Sequence, residues 1–503
     1  MMEGSAYARL TERFRRRALI GDALGILDWD QATTMPEGSA DGRAEQIATL
    51  SVIRHELMVA PGVGESIGQA EVDLGDASPD DWRLGNLREM KRAHLLAAAV
   101  PSDLVAATAR ANAACEVRWR SARAENDFAG LLPALREVLN LIQQTAAARA
   151  EALSLAPYDA LLEEYEAGTR MVTLDPLFDR LATHLPDVLL RIIERQNAQP
   201  APVRPEGPFD IAAQRDLAAE LMQALGFDFD RGRLDVSHHP FCGGATGDVR
   251  ITTRYNEDDF TESLMGVLHE TGHALYEAGL PDNWRFQPVG AALGMAIHES
   301  QSLLVEMQVS RSRPFLSFAL PRMQASFGGR GPAWDVDNLY RLYTRVEPGF
   351  IRVDADEVTY PLHIILRYRL ERAMLSGDLD LADLPGAWND TMSELVGITP
   401  PEDRLGCLQD IHWPSGSFGY FPTYTLGAMA AAQFFSAAKR AMPGIEADIA
   451  AGRLAPLLSW LRTNVHGQAS RHTADALLTR ATGEPLNPDI FLDHLEARYL
   501  GDG

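Results

Sequence analysis

The feature that most restricts how this chain can fold is a pair of histidines four residues apart within an apolar run. His269 and His273 lie in the segment 264–276, whose other residues are mostly apolar. This pattern predicts an α-helix that is buried over most of its surface. Residues four apart share one face of a helix, so both imidazoles can reach one metal ion. Buried histidines are costly unless they are paired or metal-bound, and the pattern therefore favours a metal site over solvated histidines.

Two glutamates complete the candidate site. Glu270 is one residue further round the same helix, where it can reach a water molecule in the site without being a ligand. Glu299 lies in a second apolar helical segment, 295–305, after enough residues for a loop and a returning helix. A catalytic zinc site uses three protein ligands and leaves one position open. The sequence therefore predicts that the two histidines and Glu299 are the ligands. Glu270 is then the general base, which takes a proton from water and passes it to the leaving amine.

The charge and the cysteine content limit the classes of partner. A net charge of −24 and a sequence pI near 4.9 argue against nucleic acid and anionic membrane surfaces. Cys115, Cys242 and Cys407 are far apart and form no C-x-x-C pair, which is typical of a reducing compartment. The sequence contains no run of about 18 uninterrupted apolar residues, and its first residues lack the apolar core of a secretion signal. We expect a cytoplasmic protein that does not bind membranes.

The spacing of apolar residues indicates a mainly α-helical chain. Segments such as 132–155 and 210–227 repeat apolar residues every three or four positions. Breaks rich in proline and glycine occur at 60–81, 199–210 and 326–335. We interpret these breaks as loops within one domain, 1–503, which has a helical wall at 1–198 and a metal-binding catalytic half at 199–503.

One segment, 247–256, favours a β-strand because its residues are β-branched and alternate in character. It follows a glycine-rich stretch, 242–247, and precedes the metal helix. The sequence therefore predicts a small sheet beside that helix. An exposed strand edge there could hold an extended peptide through main-chain hydrogen bonds; a purely structural sheet is the alternative.

Two further segments carry side chains that could contact a substrate. Tyr420 and Tyr424 lie in a stretch rich in glycine and aromatic residues, 412–424. Either hydroxyl could donate to the oxyanion that forms during peptide hydrolysis, and packing is the alternative role. Arg352 could bind a substrate carboxylate through two hydrogen bonds. The acidic residues at 354, 356 and 357 could instead pair with this arginine or cap the following helix.

Longer motifs extend over nearly the whole chain. They occupy positions 27–31 with 35–36, 158–168, 239–241, 248–255, 269–277, 298–301, 355–360, 412–413 and 419–427. In this order and spacing they resemble the motifs of the Taq-type carboxypeptidases, the M32 family of metallocarboxypeptidases.

The resemblance implies a mostly α-helical, saddle-shaped domain with a deep active-site groove, usually assembled as a homodimer. It implies one divalent metal ion per chain, zinc in the first place with cobalt able to substitute. The implied activity is the release of single C-terminal amino acids from peptides that have a free C-terminus. By position, the family's ligands fall on His269, His273 and Glu299, and its general base falls on Glu270.

The family's substrate-facing motifs fall on His239, Arg250, Arg352, Tyr420 and Tyr424. Of these residues, we expect Arg352 to bind the terminal carboxylate of the peptide, which would make the enzyme act from the chain end. We expect Tyr420 to stabilise the oxyanion or to contact the substrate. Tyr424, His239 and Arg250 are expected to contribute further substrate contacts.

The chain departs from the family pattern at several positions near these motifs. Residues 303–307 read Leu-Leu-Val-Glu-Met, where an arginine, a tryptophan and an asparagine of the usual pattern are replaced by apolar side chains. Pro414 stands where serine is usual, and Arg369 stands where an acidic residue is expected. The departures remove no ligand and no base, but they bear on metal affinity and substrate range.

Two other functions share some of these features. An endopeptidase or dipeptidyl peptidase would use the same metal chemistry, but it would not need a cation such as Arg352 for a free C-terminus. A non-catalytic peptide-binding protein would have no need of the base Glu270. A structural metal site normally has four protein ligands, and the sequence offers no fourth.

Overall fold

The chain folds mainly into α-helices. The computed structural model describes residues 5–501, which contain twenty α-helices and three β-strands. The helices are α1 (Ala6–Thr33), α2 (Ala40–Val59), α3 (Val63–Asp73), α4 (Trp82–Ala98), α5 (Ser102–Glu125), α6 (Phe128–Leu153), α7 (Pro157–Tyr165), α8 (Met171–Asn197), α9 (Ile211–Leu225), α10 (Phe260–Ala278), α11 (Met295–Leu303), α12 (Arg313–Phe327), α13 (Val336–Tyr343), α14 (Tyr360–Ser376), α15 (Leu384–Val396), α16 (Pro422–Ala441), α17 (Ile445–Ala450), α18 (Ala455–Asn464), α19 (Ala474–Thr482) and α20 (Pro488–Tyr499). The strands are β1 (Gly232–Val236), β2 (Phe241–Ala245) and β3 (Asp248–Thr253). The predicted mainly α class is confirmed. None of the helices described here has the length and apolar composition that a membrane crossing requires.

The three strands form one sheet in the order β1–β3–β2, in which β3 is parallel to β1 and antiparallel to β2. β3 coincides with the predicted strand at 247–256. The sequence analysis missed β1 and β2; β2 contains two consecutive glycines, which have low strand propensity. Val249 and Ile251 of β3 are buried in one apolar cluster with Val267 of α10. The small sheet thus supports α10, as predicted.

The loop predicted at 60–81 contains a helix, α3. Val63, Ile67 and Ala70 are its buried residues, and their spacing places them on one helix face. The glycines and acidic residues between them obscured this periodicity in the sequence. The other two predicted breaks are confirmed, since 199–210 separates α8 from α9 and α12 ends within 326–335.

The contacts divide the chain into two compact units, each assembled from separate segments. The first unit contains the described residues up to Ala97, Pro202–Tyr343 and Ala430–Leu486; the second contains Ala98–Ala201, Thr344–Met429 and the described residues from Asn487 onward. In the first unit, α10 packs against α9, α11 and β3. In the second, α6 packs against α5 and α7, and α14 packs against α8 and α15. The single domain with sub-regions 1–198 and 199–503, the saddle shape and the groove stay predictions.

Candidate active site

Helix α10 carries three of the predicted site residues. Its first turn is fixed by Asp259, whose side chain accepts a hydrogen bond from the backbone N–H of Thr261 at 2.7 Å. The helix is buried along nearly its whole length, as its apolar sequence predicts. The ring centroids of His269 and His273 are 5.0 Å apart, and the intervening Glu270 is buried. The predicted spacing therefore brings both imidazoles to one place.

A glycine within the histidine motif lets a second helix approach α10 closely. A Cβ atom at Gly272 would lie 2.4 Å from the carbonyl oxygen of Gln301 and 2.5 Å from Cα of Ser302. No side chain could occupy that space unless the backbone moved. Helix α11 therefore packs against α10 at this glycine, and the packing brings Glu299 to the histidines.

Three side chains converge in the way that a metal site requires. Nε2 of His269 lies 3.8 Å from Oε2 of Glu299, and Nε2 of His273 lies 3.4 Å from the same oxygen. The three ligand atoms all lie within 4.8 Å of one another. Bonds of about 2.1 Å in a tetrahedral site hold ligand atoms about 3.4 Å apart, so this donor set fits a divalent metal ion. Within residues 5–501, no other group of His, Cys, Asp or Glu side chains has this geometry.

The second nitrogen of each imidazole is held by the protein. Nδ1 of His269 lies 2.9 Å from Oε2 of Glu306, and because a carboxylate only accepts, the ring proton lies on Nδ1. Nδ1 of His273 donates to the carbonyl oxygen of His298 at 3.1 Å. In the neutral imidazoles, each Nε2 lone pair is therefore left for a metal ion. Such partners are what fix the tautomer and orientation of histidine ligands.

Glu306 is a functional candidate that the sequence analysis did not single out. It is 8 % exposed and lies in a π-helical turn, Leu304–Ser310, that continues α11. Its Oε1 accepts from Nη2 of Arg311 at 2.5 Å, so one carboxylate joins an arginine to His269. The available signal was a lone glutamate in the apolar run 303–307, in the helical stretch that carries Glu299.

The residues that depart from the family pattern have well-defined environments in the structure. Leu303, Leu304 and Val305 are buried, so their apolar side chains are part of the core beside α10. Glu306, the one charged residue of this stretch, makes the polar contact with His269. Arg369 donates from Nη1 to Glu394 at 3.1 Å on the surface, and the proline at 414 is buried.

The electrostatics of the site favour a cation. Burial raises the pKa of Glu270 to about 7. Burial alone would also raise the pKa of Glu299, but His269 and His273 lower it to about 2. Burial alone would lower the pKa of His269, yet Glu299 and Glu306 raise it to about 10. The carboxylates thus stabilise positive charge at the position where the ligand atoms converge.

Two predicted substrate contacts lie on and beside the small sheet. Arg250 of β3 donates from Nη2 to Asp248 at 2.5 Å, and its guanidinium carbon lies 4.6 Å from the centroid of the Trp29 ring. His239 precedes β2 and is exposed, and its carbonyl oxygen accepts from the hydroxyl of Ser237 at 2.5 Å. The substrate contacts of Arg250 and His239 stay predictions.

Arg352 belongs to a buried charge cluster in the second unit. Its Nε and Nη2 donate to Oδ1 of Asp410 at 3.0 and 2.9 Å, while Nε of Arg367 donates to Oδ2 at 2.7 Å. None of these side chains is more than 9 % exposed. Burial lowers the pKa of His363 to about 3 and that of His412 to about 4, so neither histidine adds charge near neutral pH. Two positively charged guanidiniums share one negatively charged carboxylate. The hydrogen-bonded cluster therefore keeps one net positive charge and can bind a further anion.

Asp410 is a second functional candidate that the sequence analysis missed. Two of the acidic residues that follow Arg352 in sequence, Asp356 and Glu357, have other partners. Asp356 accepts from the backbone N–H groups of Val358 and Thr359, both at 2.9 Å, in the turn that precedes α14, and this helix has no side-chain cap. Glu357 accepts from Nη1 of Arg498 at 2.9 Å. The ion pair of Arg352 comes instead from a carboxylate distant in sequence, which no local pattern indicated.

Tyr420 and Tyr424 lie in an aromatic cluster of the same unit. Their ring centroids are 5.2 Å apart. Nε2 of His412 lies 3.2 Å from the hydroxyl of Tyr424, and the Tyr424 ring lies 5.0 Å from the guanidinium carbon of Arg352. The structure therefore brings Tyr424 to the predicted carboxylate-binding arginine, and Tyr420 lies beside Tyr424.

The chain is similar to known proteins over nearly its whole length. The family model described as carboxypeptidase Taq (M32) metallopeptidase matches residues 9–499. Thermostable carboxypeptidase 1 of Thermus thermophilus is 39 % identical, with 99 % of each chain covered. Carboxypeptidase 1 of Bacillus subtilis is 33 % identical, with 96 % of each covered.

Solved structures are similar as well. Metallocarboxypeptidase 1 of Trypanosoma cruzi superposes with a TM-score of 0.96 at 40 % identity, covering 98 % of this chain and 99 % of that one. The M32 carboxypeptidase of Deinococcus radiodurans superposes with a TM-score of 0.92 at 34 % identity, covering 98 % of both chains.

Proposed function

The chain belongs to the carboxypeptidase Taq (M32) family and is a metallocarboxypeptidase, and on that premise we propose that it removes single C-terminal amino acids from peptides with Glu270 as the general base. The observation that carries this proposal is the convergence of His269, His273 and Glu299 beside a buried Glu270. A protein that only bound peptides would have no use for that fourth residue.

We propose His269, His273 and Glu299 as the ligands of one divalent metal ion, zinc in the first place, with cobalt able to substitute. When bound, such a metal polarises the scissile carbonyl and makes a water molecule reactive near neutral pH. Glu306 and the carbonyl oxygen of His298 hold the two imidazoles in the tautomer that ligation requires.

Glu270 moves the proton in this proposal. It accepts a proton from the attacking water and then delivers it to the nitrogen of the departing amino acid, so that the amine leaves as a stable product. The residue is held on a buried, regular helix, which restricts its motion. A general base of this kind contributes roughly 100- to 10,000-fold to the rate.

Residues of the second unit are proposed to recognise the end of the peptide. Arg352 would bind the terminal carboxylate, because two guanidiniums share the single carboxylate of Asp410 and the cluster can accept another anion. Tyr420 would donate its hydroxyl to the oxyanion or to the substrate. Tyr424, His239 and Arg250 would provide further substrate contacts.

The test is mass-spectrometric analysis of a mixed peptide pool after incubation with metal-loaded protein. We expect products shortened one residue at a time from the C-terminus. Glu270→Gln, which keeps the size of the side chain but not its basicity, should abolish them. Exchange of the exposed Glu262 for Gln on the same helix should leave cleavage unchanged.

Peptides with an amidated C-terminus separate the alternatives. An exopeptidase that binds the terminal carboxylate should leave them intact. Internal cuts that tolerate amidation would instead assign an endopeptidase, and loss of residues in pairs would assign a dipeptidyl peptidase. We also propose a homodimer, which light scattering of the purified protein would test, and a cytoplasmic location, which cell fractionation would test.

A further inference from the structure

Glu371 of α14 is a buried acid to which the proposed mechanism gives no role. It is 0 % exposed, and all its hydrogen-bond donors are neutral groups. Oε2 accepts from the hydroxyl of Tyr158 at 2.7 Å and from the backbone N–H of Gly419 at 3.0 Å. Oε1 accepts from Nε1 of Trp413 at 2.9 Å. Burying a carboxylate so far from solvent costs free energy of folding. Its three donors are the groups that it holds in place.

Two of the three donors belong to the segment 412–421, which carries Tyr420. Trp413 lies near its start and Gly419 near its end, so one carboxylate fixes the segment at both ends. Gly419 has a φ of +85°, in the region that favours glycine. A Cβ atom there would lie 3.2 Å from Cβ of Leu161 in α7. The chain therefore passes directly over α7 at this point, one residue before Tyr420.

Helix α7 also contacts the ring of Tyr420. Tyr165 meets it edge to face, with ring centroids 5.0 Å apart and an angle of 83° between the planes. The third donor to Glu371, Tyr158, is on the same helix. Glu371 thus joins α14, α7 and the segment 412–421 at the point from which the Tyr420 side chain departs.

We infer that Glu371 is a positioning residue that sets where the Tyr420 hydroxyl stands during catalysis. The inference rests on the proposed function, because it requires Tyr420 to contact the substrate or the oxyanion. A displacement of about 1 Å in a catalytic group can lower the rate about 100-fold. Glu371 therefore acts on kcat, and metal binding does not depend on it.

Glu371→Gln is the direct test because it preserves shape and replaces one acceptor oxygen with an NH2 group that faces a donor. We expect kcat to fall about 10- to 100-fold, with one metal ion per chain retained. Tyr158→Phe removes a single hydrogen bond and should cause a smaller loss. Glu394→Gln, the same exchange at an exposed position of the neighbouring helix α15, is the matched control and should keep full activity.

The decisive readout is a double-mutant cycle with Tyr420→Phe. If Glu371 acts through Tyr420, the double variant should have the kcat of Tyr420→Phe alone. Multiplicative losses would overturn the inference. So would a Glu371→Gln variant with unchanged kcat, one whose metal content falls with its activity, or a Tyr420→Phe variant with full activity. If Glu371→Gln does not fold, the same cycle is run with Tyr158→Phe. Cleavage by the wild-type protein in the same assay tests the proposed function separately, whatever the variants do.

Discussion

Exchange of Glu306 should weaken metal binding in graded steps. In the protein, Oε2 of Glu306 accepts from Nδ1 of His269 at 2.9 Å, while Oε1 is paired with Arg311 at 2.5 Å. Glu306→Ala removes a charge-assisted hydrogen bond worth about 1.5–3 kcal/mol, which corresponds to roughly 10- to 150-fold in the dissociation constant of the metal. Glu306→Gln retains a neutral acceptor, so its loss should be about 0.5–1.5 kcal/mol, or roughly 2- to 10-fold.

The assay is competition for the metal between the protein and a chelator of known affinity. Glu262→Gln is the matched control, because it removes one negative charge from α10 at an exposed position. The expected order of affinity is wild type with the control, then Glu306→Gln, then Glu306→Ala. Equal affinities for all four proteins would refute the reasoning that Glu306 orients His269. A loss in the control equal to that in Glu306→Gln would show that only net charge matters.

Three further predictions follow from close packing, charge balance and burial. Gly272→Ala should abolish metal binding, because its Cβ would lie 2.4 Å from a backbone oxygen of α11. Elemental analysis of the purified variant should therefore find little metal. The control Gly266→Ala, whose Cβ would lie 4.0 Å from its nearest neighbour, should bind metal normally. Asp410→Asn should raise KM at least about 10-fold without loss of metal, because Arg352 loses the carboxylate that fixes the orientation of its guanidinium. An unchanged or lower KM in peptide kinetics would contradict the role of this cluster. Burial lowers the pKa of His363 from an ordinary value of 6.5 to about 3. Below pH 6.5 the unfolded chain therefore takes up a proton at this histidine that the folded chain does not. For each pH unit below 6.5, this group should lower the free energy of unfolding by about 1.4 kcal/mol. Between pH 7 and pH 5, the midpoint of urea unfolding should therefore fall less steeply for His363→Gln than for the wild type. Equal slopes would disprove the lowered pKa of His363.

The parts of the site that the sequence predicted are those fixed by local geometry. His269 and His273 meet because a helix places residues four apart on one face, and the apolar surroundings identify that helix. Glu299 was identifiable as a carboxylate within a second apolar helix. The strand β3 was predictable from its own residues, because β-branched side chains alternate over a short run. Each of these predictions needed only the residues of one element.

The parts that the sequence analysis missed depend on contacts between distant segments. Asp410 pairs with Arg352 across 58 positions, and nothing near either residue signals the other. Glu306 reaches His269 through a π-helical turn that propensity does not predict. The hydrogen-bond donors to Glu371 come from two segments distant in sequence, Tyr158 in one and Trp413 with the backbone N–H of Gly419 in the other. Such partners become apparent only when the fold is known.

The central claim, that three side chains hold one catalytic metal, is tested most directly by anomalous diffraction from crystals of zinc-loaded protein at the zinc absorption edge. The account predicts one strong peak per chain, about 2.0–2.2 Å from Nε2 of His269, Nε2 of His273 and a carboxylate oxygen of Glu299. A peak bound by other residues, or a site without zinc in protein that cleaves peptides, would contradict it.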